Sequence, residues 1–271
     1  MNLGLIHKAV RETWASTLSF AVGIFVFELL LGLILPAFQK EFSDKFLQLE
    51  FIQKILSALL GAELGKVIGP AVLSMIGWVH PLVLALVWAQ AIVVCTRVPA
   101  GEVDRGTLDV LLALPVTRTT VYVSESVVFI ITSLLVVGVG LGGNVVGNWI
   151  SGLERAGSLG QLSLVALNLS ALSLAVGGLS SFLSSVCDRR GRAMGVAFAI
   201  LMASLFLSSM STFNAIVKSF SVVSLLNYYR PYGILQERAS PLGDMMVLLA
   251  IGTGLWICGA VMFVRRDLRT V

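Results

Sequence analysis

The residue types best suited to chemistry lie together between residues 98 and 120, where charged side chains surround a leucine-rich segment. Glu102 precedes the pair Gly106 and Thr107, and Pro115 follows the leucines. Gly106 permits a tight turn, Thr107 is suited to cap a helix, and Pro115 stops one. The stretch therefore predicts a short amphipathic helix between two apolar runs. Such a helix either docks a partner protein or rests on lipid headgroups, and the residues alone favour neither.

Polar side chains inside apolar runs form a second group of candidates. Glu28 lies in the middle of such a run, where a carboxyl group costs about 2.5–3.5 kcal/mol on insertion scales. It either lines a substrate route or, while protonated, bonds to a Ser or Asn of a neighbouring helix. Ser170, Ser173 and Ser181 form a polar seam on another run. That seam either packs helices tightly or lines the same route.

The sequence offers no arrangement typical of a catalytic or metal centre. His7 and His80 are its two histidines, neither lies deep in an apolar run, and the three cysteines lack metal-ligand spacing. We therefore expect no catalytic residue, no metal and no cofactor bound by this chain. The nearest approach to a phosphate-binding loop, at 61–67, is one residue short of G-x-x-x-x-G-K-[ST]. ATP hydrolysis is accordingly not expected here.

The elements that hold these residues are predicted to be membrane spans. Hydrophobic residues make up 57% of the chain and charged residues 13%, against about 25% charged in soluble domains. A span needs about 20 apolar residues, so the predicted fold is an all-α integral membrane protein with six transmembrane helices in one domain, 1–271. The predicted spans are 17–35, 73–94, 121–145, 162–183, 194–210 and 245–264.

The segments between the spans predict the orientation. Residues 1–14 form an amphipathic pattern suited to an interfacial elbow helix, and Pro36 is predicted to end the first span. Basic residues cluster in the short turn 188–192 and in the tail, which predicts that both termini are cytoplasmic. The long segments 38–69 and 212–243 are then outside. Because the basic residues flank apolar runs, the net charge of +4 indicates contact with lipid rather than nucleic acid.

Two glycine pairs lie in the third predicted span. The stretch 138–143 matches G-x-G-x-x-G, but an apolar run is the wrong context for dinucleotide binding. The pairs Gly138/Gly142 and Gly143/Gly147 have the spacing of small residues that allow two helices to pack closely. We interpret both pairs as helix-packing positions.

The 98–120 stretch resembles the conserved cytoplasmic loop of type-2 ABC transporter permeases. The residues that match the family pattern are Glu102, Gly106, Thr107, Leu111, Leu112, Pro115 and Arg118. The resemblance implies the type-2 ABC permease fold, in which this loop is a cytoplasmic coupling helix that contacts a separate ATP-binding subunit. The implied coupling residues are Glu102, Arg105, Gly106, Thr107, Leu108, Leu111, Leu112, Pro115 and Arg118.

The resemblance also implies a function. The chain is expected to be the permease subunit of an ATP-driven exporter in the inner membrane, paired with a second permease, identical or related. Two separate ABC ATP-binding subunits would use the ATP and Mg. Two alternatives remain: an ATP-independent secondary transporter or membrane anchor, and an intramembrane enzyme. Glu28 stands nearly alone as a buried carboxylate for ion coupling, and a nucleophile with a nearby base is not evident.

Overall fold

A computed structural model describes residues 2–41, 76–152, 158–211, 215–235 and 241–266, and the regular structure within these ranges is entirely helical. The helices are α1 (Leu3–Glu41), α2 (Pro81–Cys95), α3 (Ala100–Asp104), α4 (Leu108–Leu112), α5 (Arg118–Ile150), α6 (Leu159–Val186), α7 (Arg190–Ser211), α8 (Ala215–Phe220), α9 (Pro231–Leu235) and α10 (Pro241–Arg265). Short 3₁₀ turns, Ser221–Val223 and Leu225–Tyr228, separate α8 from α9. The prediction of an all-α membrane protein is confirmed for the described residues.

Five of the described helices, α1, α5, α6, α7 and α10, are long and apolar enough to cross a membrane. The second predicted span differs, because α2 has 15 residues and is about 22 Å long, less than the roughly 30 Å of a hydrocarbon core. Residues 76–79 are helical but are separated from α2 by His80, which is extended (φ −62°, ψ 131°). Proline disfavours a helical conformation in the residue before it. The start of the predicted span, 73–75, lies outside the described residues.

The structure departs from the prediction at the first helix. The predicted elbow helix and first span form one helix, Leu3–Glu41, which also continues past Pro36. Polar side chains near the expected boundary bond back to helical carbonyls: Thr13 donates to Ala9 at 2.8 Å and Ser16 donates to Thr13 at 2.9 Å. Because these hydroxyl groups are satisfied within the helix, they do not interrupt it. The remainder of the outer segment 38–69, from residue 42 onwards, lies outside the described residues.

Two helix pairs form the body of the protein. α1 packs along α5, and α6 packs along α10. In α6, 78% of the most apolar stretch is buried, against 22% in α1, α7 and α10, so α6 is the central helix. In the second segment predicted to be outside, 212–243, the side chains of Leu225, Leu226 and Tyr229 are buried in the hydrophobic core that α6 shares.

Glycines set the distance between the paired helices. A Cβ atom at Gly147 would lie 2.8 Å from the Leu29 carbonyl oxygen, and one at Gly143 would lie 2.5 Å from that of Phe25. The predicted packing role of this glycine pair is therefore supported by its place against α1. Gly138 and Gly142 differ, because no neighbouring atom of the described residues lies within 4 Å of a Cβ atom built on either.

Candidate functional site

The loop between α2 and α5 folds into two short helices joined by a tight turn. Gly106 has φ +66°, a left-handed conformation that glycine adopts without strain. The turn connects α3 to α4. α4 ends at Leu112, three residues before Pro115, which is exposed. Thr117 then caps α5, because its hydroxyl oxygen accepts a hydrogen bond from the Thr120 amide at 3.1 Å.

The leucine stripe of α4 faces the body of the protein. Leu108 is 4% exposed and Leu111 is 7% exposed. They belong to a second apolar cluster, which also contains Leu5, Val98, Val121, Tyr122 and Phe263, and Leu112 packs against it. The stripe therefore anchors α4 to α1, α5 and α10. Their side chains are thus covered by the protein's own helices, and the coupling role that the resemblance implies for them stays a prediction.

Two other apolar residues of this loop, Val110 and Leu114, are exposed. Val110 is 72% exposed and Leu114 is 54% exposed. Asp109 beside them is also exposed. We refer to Asp109, Val110 and Leu114 as the exposed knob. Sequence reasoning missed Val110 and Leu114, although residues 110 and 114 are four apart and so share one face of a helical pattern.

Glu102 is the centre of an ion-pair cluster at the start of the loop. It is 4% exposed and lies 3.0 Å from Lys8 Nζ and 3.1 Å from Arg105 Nη2. The Thr107 hydroxyl donates to the other carboxylate oxygen of Glu102. Thr107 is the N-cap residue of α4, as predicted, but its hydroxyl bonds to Glu102 and makes no capping hydrogen bond to α4. Through Lys8, the cluster ties the loop to α1.

The ionised form of Glu102 is favoured by this cluster. Burial alone would raise the pKa of Glu102, but hydrogen bonds from Thr107 and Lys8 and the charges of Lys8 and Arg105 outweigh it, so the pKa is lowered. A lowered carboxyl pKa stabilises the fold above the ordinary value of 4.5. That contribution is lost as the pH falls through the folded-state value.

Replacing Glu102 by glutamine is expected to lower the free energy of unfolding at pH 7 by about 1.5–3 kcal/mol, the usual contribution of hydrogen bonds to a charged group. The difference from the unaltered protein should shrink below pH 4.5. Thermal unfolding in detergent between pH 7 and pH 3 measures both. Asp109→Asn, at an exposed carboxyl on the adjacent helix, should change little at any pH. Equal stability at pH 7, or a difference that widens on acidification, would contradict the assignment.

A second ion-pair cluster joins the end of α2 to both neighbouring helices. Arg97 is 5% exposed and its guanidinium contacts the carboxylates of Glu12 on α1 and Glu125 on α5. Glu12 also pairs with Lys8 at 3.1 Å. The two clusters are therefore continuous along α1. From the sequence, Arg97 was interpreted only as one of the basic residues at the ends of spans. The signal that could have found this cluster is that charged residues lie near the ends of three predicted spans.

Two arginines, Arg118 and Arg266, form hydrogen bonds to backbone carbonyls at the ends of neighbouring helices. Arg118 Nη1 donates to the carbonyl oxygens of Phe263, Val264 and Arg266 at 3.3, 3.3 and 2.6 Å. Arg266 Nη1 donates to the Ser185 carbonyl at 2.9 Å. Arg118 thus satisfies carbonyls at the end of α10, and Arg266 does the same for α6. The ends of α5, α6 and α10 are joined at the same side of the bundle as the loop.

α7 is joined to the loop in the same region. The backbone N–H of Arg190 donates to Asp104 at 3.3 Å, and its guanidinium donates to the Val93 carbonyl at 2.9 Å. Gly101 lies against this side chain, since a Cβ atom there would be 3.2 Å from Arg190 Cδ. The loop is therefore held by α1, α5, α7 and α10 together, while Val110 and Leu114 of the exposed knob stay exposed.

Comparison with known proteins decides the family. A family model described as ABC-2 family transporter protein matches residues 6–268. The chain belongs to this family. The match covers nearly the whole chain and includes the loop, so the permease is a multi-pass membrane component of a transporter, not itself the catalytic part. No curated protein sequence matches the permease.

Within the permease, Glu28 joins three segments of the core. It is 0% exposed, and Asn144 Nδ2 of α5 donates to one of its carboxylate oxygens at 2.8 Å. Asn148 Nδ2 in turn donates to Asn144 Oδ1 at 2.9 Å. A Cβ atom at Gly77 would lie 2.7 Å from the other oxygen of Glu28. The bond to an asparagine of a neighbouring helix is one of the two predicted environments for Glu28.

The predicted serine seam lies inside the permease. Ser170, Ser173 and Ser181 are buried. The Ser133 hydroxyl on α5 donates to Ser173 at 2.7 Å, and Ser170 bonds back to the Ala166 carbonyl at 2.8 Å. The structure thus brings Ser173 against α5 and leaves Ser170 within its own helix. Of the two alternatives, this burial favours helix packing.

Proposed function

We propose that this permease is the membrane subunit of an ATP-driven exporter, and that it pairs with a second permease and two ABC ATP-binding subunits. ATP and Mg would bind the ATP-binding subunits. The exposed knob carries this proposal, because it presents Val110 and Leu114 on a loop that Leu108, Leu111 and Glu102 anchor to the bundle. With this loop and both termini in the cytoplasm of a cell with an inner membrane, the knob faces the compartment that contains ATP.

The anchoring of the loop supports a role in transmitting force. Rigid-body coupling requires an element that does not deform when it is pushed. Leu108 and Leu111 fix α4 to the apolar cluster, and Glu102 fixes α3 to Lys8 of α1. A displacement of the knob therefore has to move α1 with it.

In this proposal the residues of the loop have two roles: some contact the ATP-binding subunit, and others position those contacts. The exposed knob contacts the ATP-binding subunit. The residues that position it are Glu102, Arg105, Gly106, Thr107, Leu108, Leu111, Leu112, Pro115 and Arg118. We assign Glu28, Ser170, Ser173 and Ser181 to packing inside the permease, because in this conformation each is covered by other helices.

Affinity purification from native membranes tests the proposal. The tagged permease, cross-linked before detergent extraction, should retain an ABC ATP-binding subunit that mass spectrometry identifies. Transport by reconstituted vesicles should then require ATP and Mg. Transport driven by an ion gradient through the permease alone would contradict the proposal and favour a secondary transporter. Consistent loss of any ATPase from active preparations would contradict it as well.

A further inference from the structure

A narrow apolar slot opens between α5 and α10, away from the exposed knob. Its volume is about 310 Å³. The residues that line it include Phe129, Leu174, Gly177, Leu249, Gly252 and Trp256. Ile130 and Leu249 at its mouth are 42% and 41% exposed, so the slot opens on the outer surface of the bundle. In a membrane, that surface faces lipid chains.

Three polar residues beside the slot, Tyr122, Ser126 and Trp256, form hydrogen bonds with one another. Trp256 Nε1 donates to the Ser126 hydroxyl at 2.7 Å, and this hydroxyl donates to the Tyr122 carbonyl at 2.8 Å. The Tyr122 hydroxyl donates to the Trp256 carbonyl at 3.1 Å. These bonds close a circuit between α5 and α10. The rest of the lining is mainly hydrocarbon, with Ser181 and Thr253 as its other hydroxyl groups, so the slot favours an apolar occupant.

The glycines give the slot its depth. A Cβ atom at Gly252 would lie 2.8 Å from Ala175 Cα, so the backbones of α10 and α6 approach closely at the base. The larger side chains of Leu249 and Trp256 stand on either side of Gly252 along α10. The volume lies at the lower end of the roughly 300–1,000 Å³ of ligand pockets, which suits a single thin chain.

A positive charge lies at one end of the slot. Arg118 precedes Val123, a lining residue, by five positions on α5, or about 8 Å of helix. Its guanidinium bonds the last carbonyls of α10, so it bridges the two helices that flank the slot. Among the described residues it bonds to backbone carbonyls, which carry no formal charge, and it pairs with no carboxylate there.

We propose that the slot binds one acyl chain of an anionic phospholipid whose phosphate group lies near Arg118. In a bilayer, an acyl chain is surrounded by hydrocarbon both inside and outside the slot, so it gains little free energy by entering. Burial of apolar surface therefore does not select which lipid binds. Selectivity then comes from the headgroup. The attraction of one basic residue corresponds to about a fivefold preference for an anionic lipid. The proposal concerns a lipid site and is independent of the ATP-binding subunits.

Quenching of tryptophan fluorescence by lipids with brominated chains tests the proposal on the full chain in nanodiscs. The contribution of Trp256 is taken as the difference between the unaltered protein and Trp256→Phe. Brominated phosphatidylglycerol should quench Trp256 half-maximally at about a fivefold lower mole fraction than brominated phosphatidylcholine. Arg118→Gln should abolish this preference while both lipids still quench.

Filling the slot provides the matched comparison. Thr253 lines the slot and is exposed, whereas Ile257 is exposed on the same helix but is not among its lining residues. Thr253→Phe should remove the preference for phosphatidylglycerol, and Ile257→Phe should retain it. Equal quenching by both lipids in the unaltered protein would overturn the proposal. A preference for phosphatidylglycerol that remains in Thr253→Phe would also overturn the proposal. So would a preference that Ile257→Phe removes as fully as Thr253→Phe does.

Discussion

Aspartate in place of Val110 or Leu114 is expected to reduce binding of the ATP-binding subunit at least tenfold, with little change in the stability of the permease. Both side chains are exposed, at 72% and 54%, so the folded chain keeps its contacts. In the proposed complex the new carboxylate would be buried in an apolar contact, which costs several kcal/mol, and about 1.4 kcal/mol already corresponds to tenfold. Co-purified ATPase and ATP-driven transport measure the loss.

The leucines of the same helix provide the control. Leu111→Ala removes a buried side chain and is expected to cost about 2–5 kcal/mol of stability. Its main effect should be a lower melting temperature. The two kinds of variant thus separate contact from anchoring within α4. If Val110→Asp retained full binding and transport while Leu111→Ala lost binding at unchanged stability, the partner would contact the other face of α4.

The second large effect is expected at the contact between α1 and α5. Gly143→Ala should lower the melting temperature by about 5–10 °C, since overpacking a tight contact commonly costs about 1–3 kcal/mol or more. The added Cβ atom would lie 2.5 Å from the Phe25 carbonyl oxygen and 3.0 Å from Phe25 Cα. Both are backbone atoms, so relief requires the helices to separate. Thermal unfolding of the purified permease in detergent measures the change.

Gly142 offers a control one residue away. No neighbouring atom of the described residues lies within 4 Å of a Cβ atom at that position. Gly142→Ala should therefore keep or slightly raise the melting temperature, because alanine favours a helix over glycine by about 1 kcal/mol. Similar losses in both variants would show that helix propensity or insertion, rather than the α1–α5 contact, determines the stability.

Much of the fold follows from the sequence because apolar runs and breaker residues are local signals. The spans that correspond to α5, α6, α7 and α10 and the turn at Gly106 were predictable in this way. The continuity of α1 was not, because the amphipathic pattern of residues 1–14 differs from the apolar run 17–35, although both belong to one helix. The interruption at His80 leaves α2 shorter than the predicted second span.

The candidate site was harder to predict than the spans. An apolar stripe looks the same whether it docks a partner or anchors a helix to its own protein, so the sequence alone could not show that Leu108 and Leu111 are buried against α1, α5 and α10. Thr107 had a suitable position for a cap, but Glu102 competes for its hydroxyl. The rotation of each helix about its axis depends on tertiary packing, so an asparagine could be anticipated beside Glu28 but Asn144 could not be singled out.

The unbroken length of α1 has a mechanical consequence. With 39 residues, the helix is about 58 Å long, and its first turns carry Lys8, which is paired with Glu102 of the loop. If α1 moves as one rigid element in the proposed coupling, a tilt of about 5° at the loop would displace the opposite tip by about 5 Å. A small push on one side of the bilayer would then become an opening on the other.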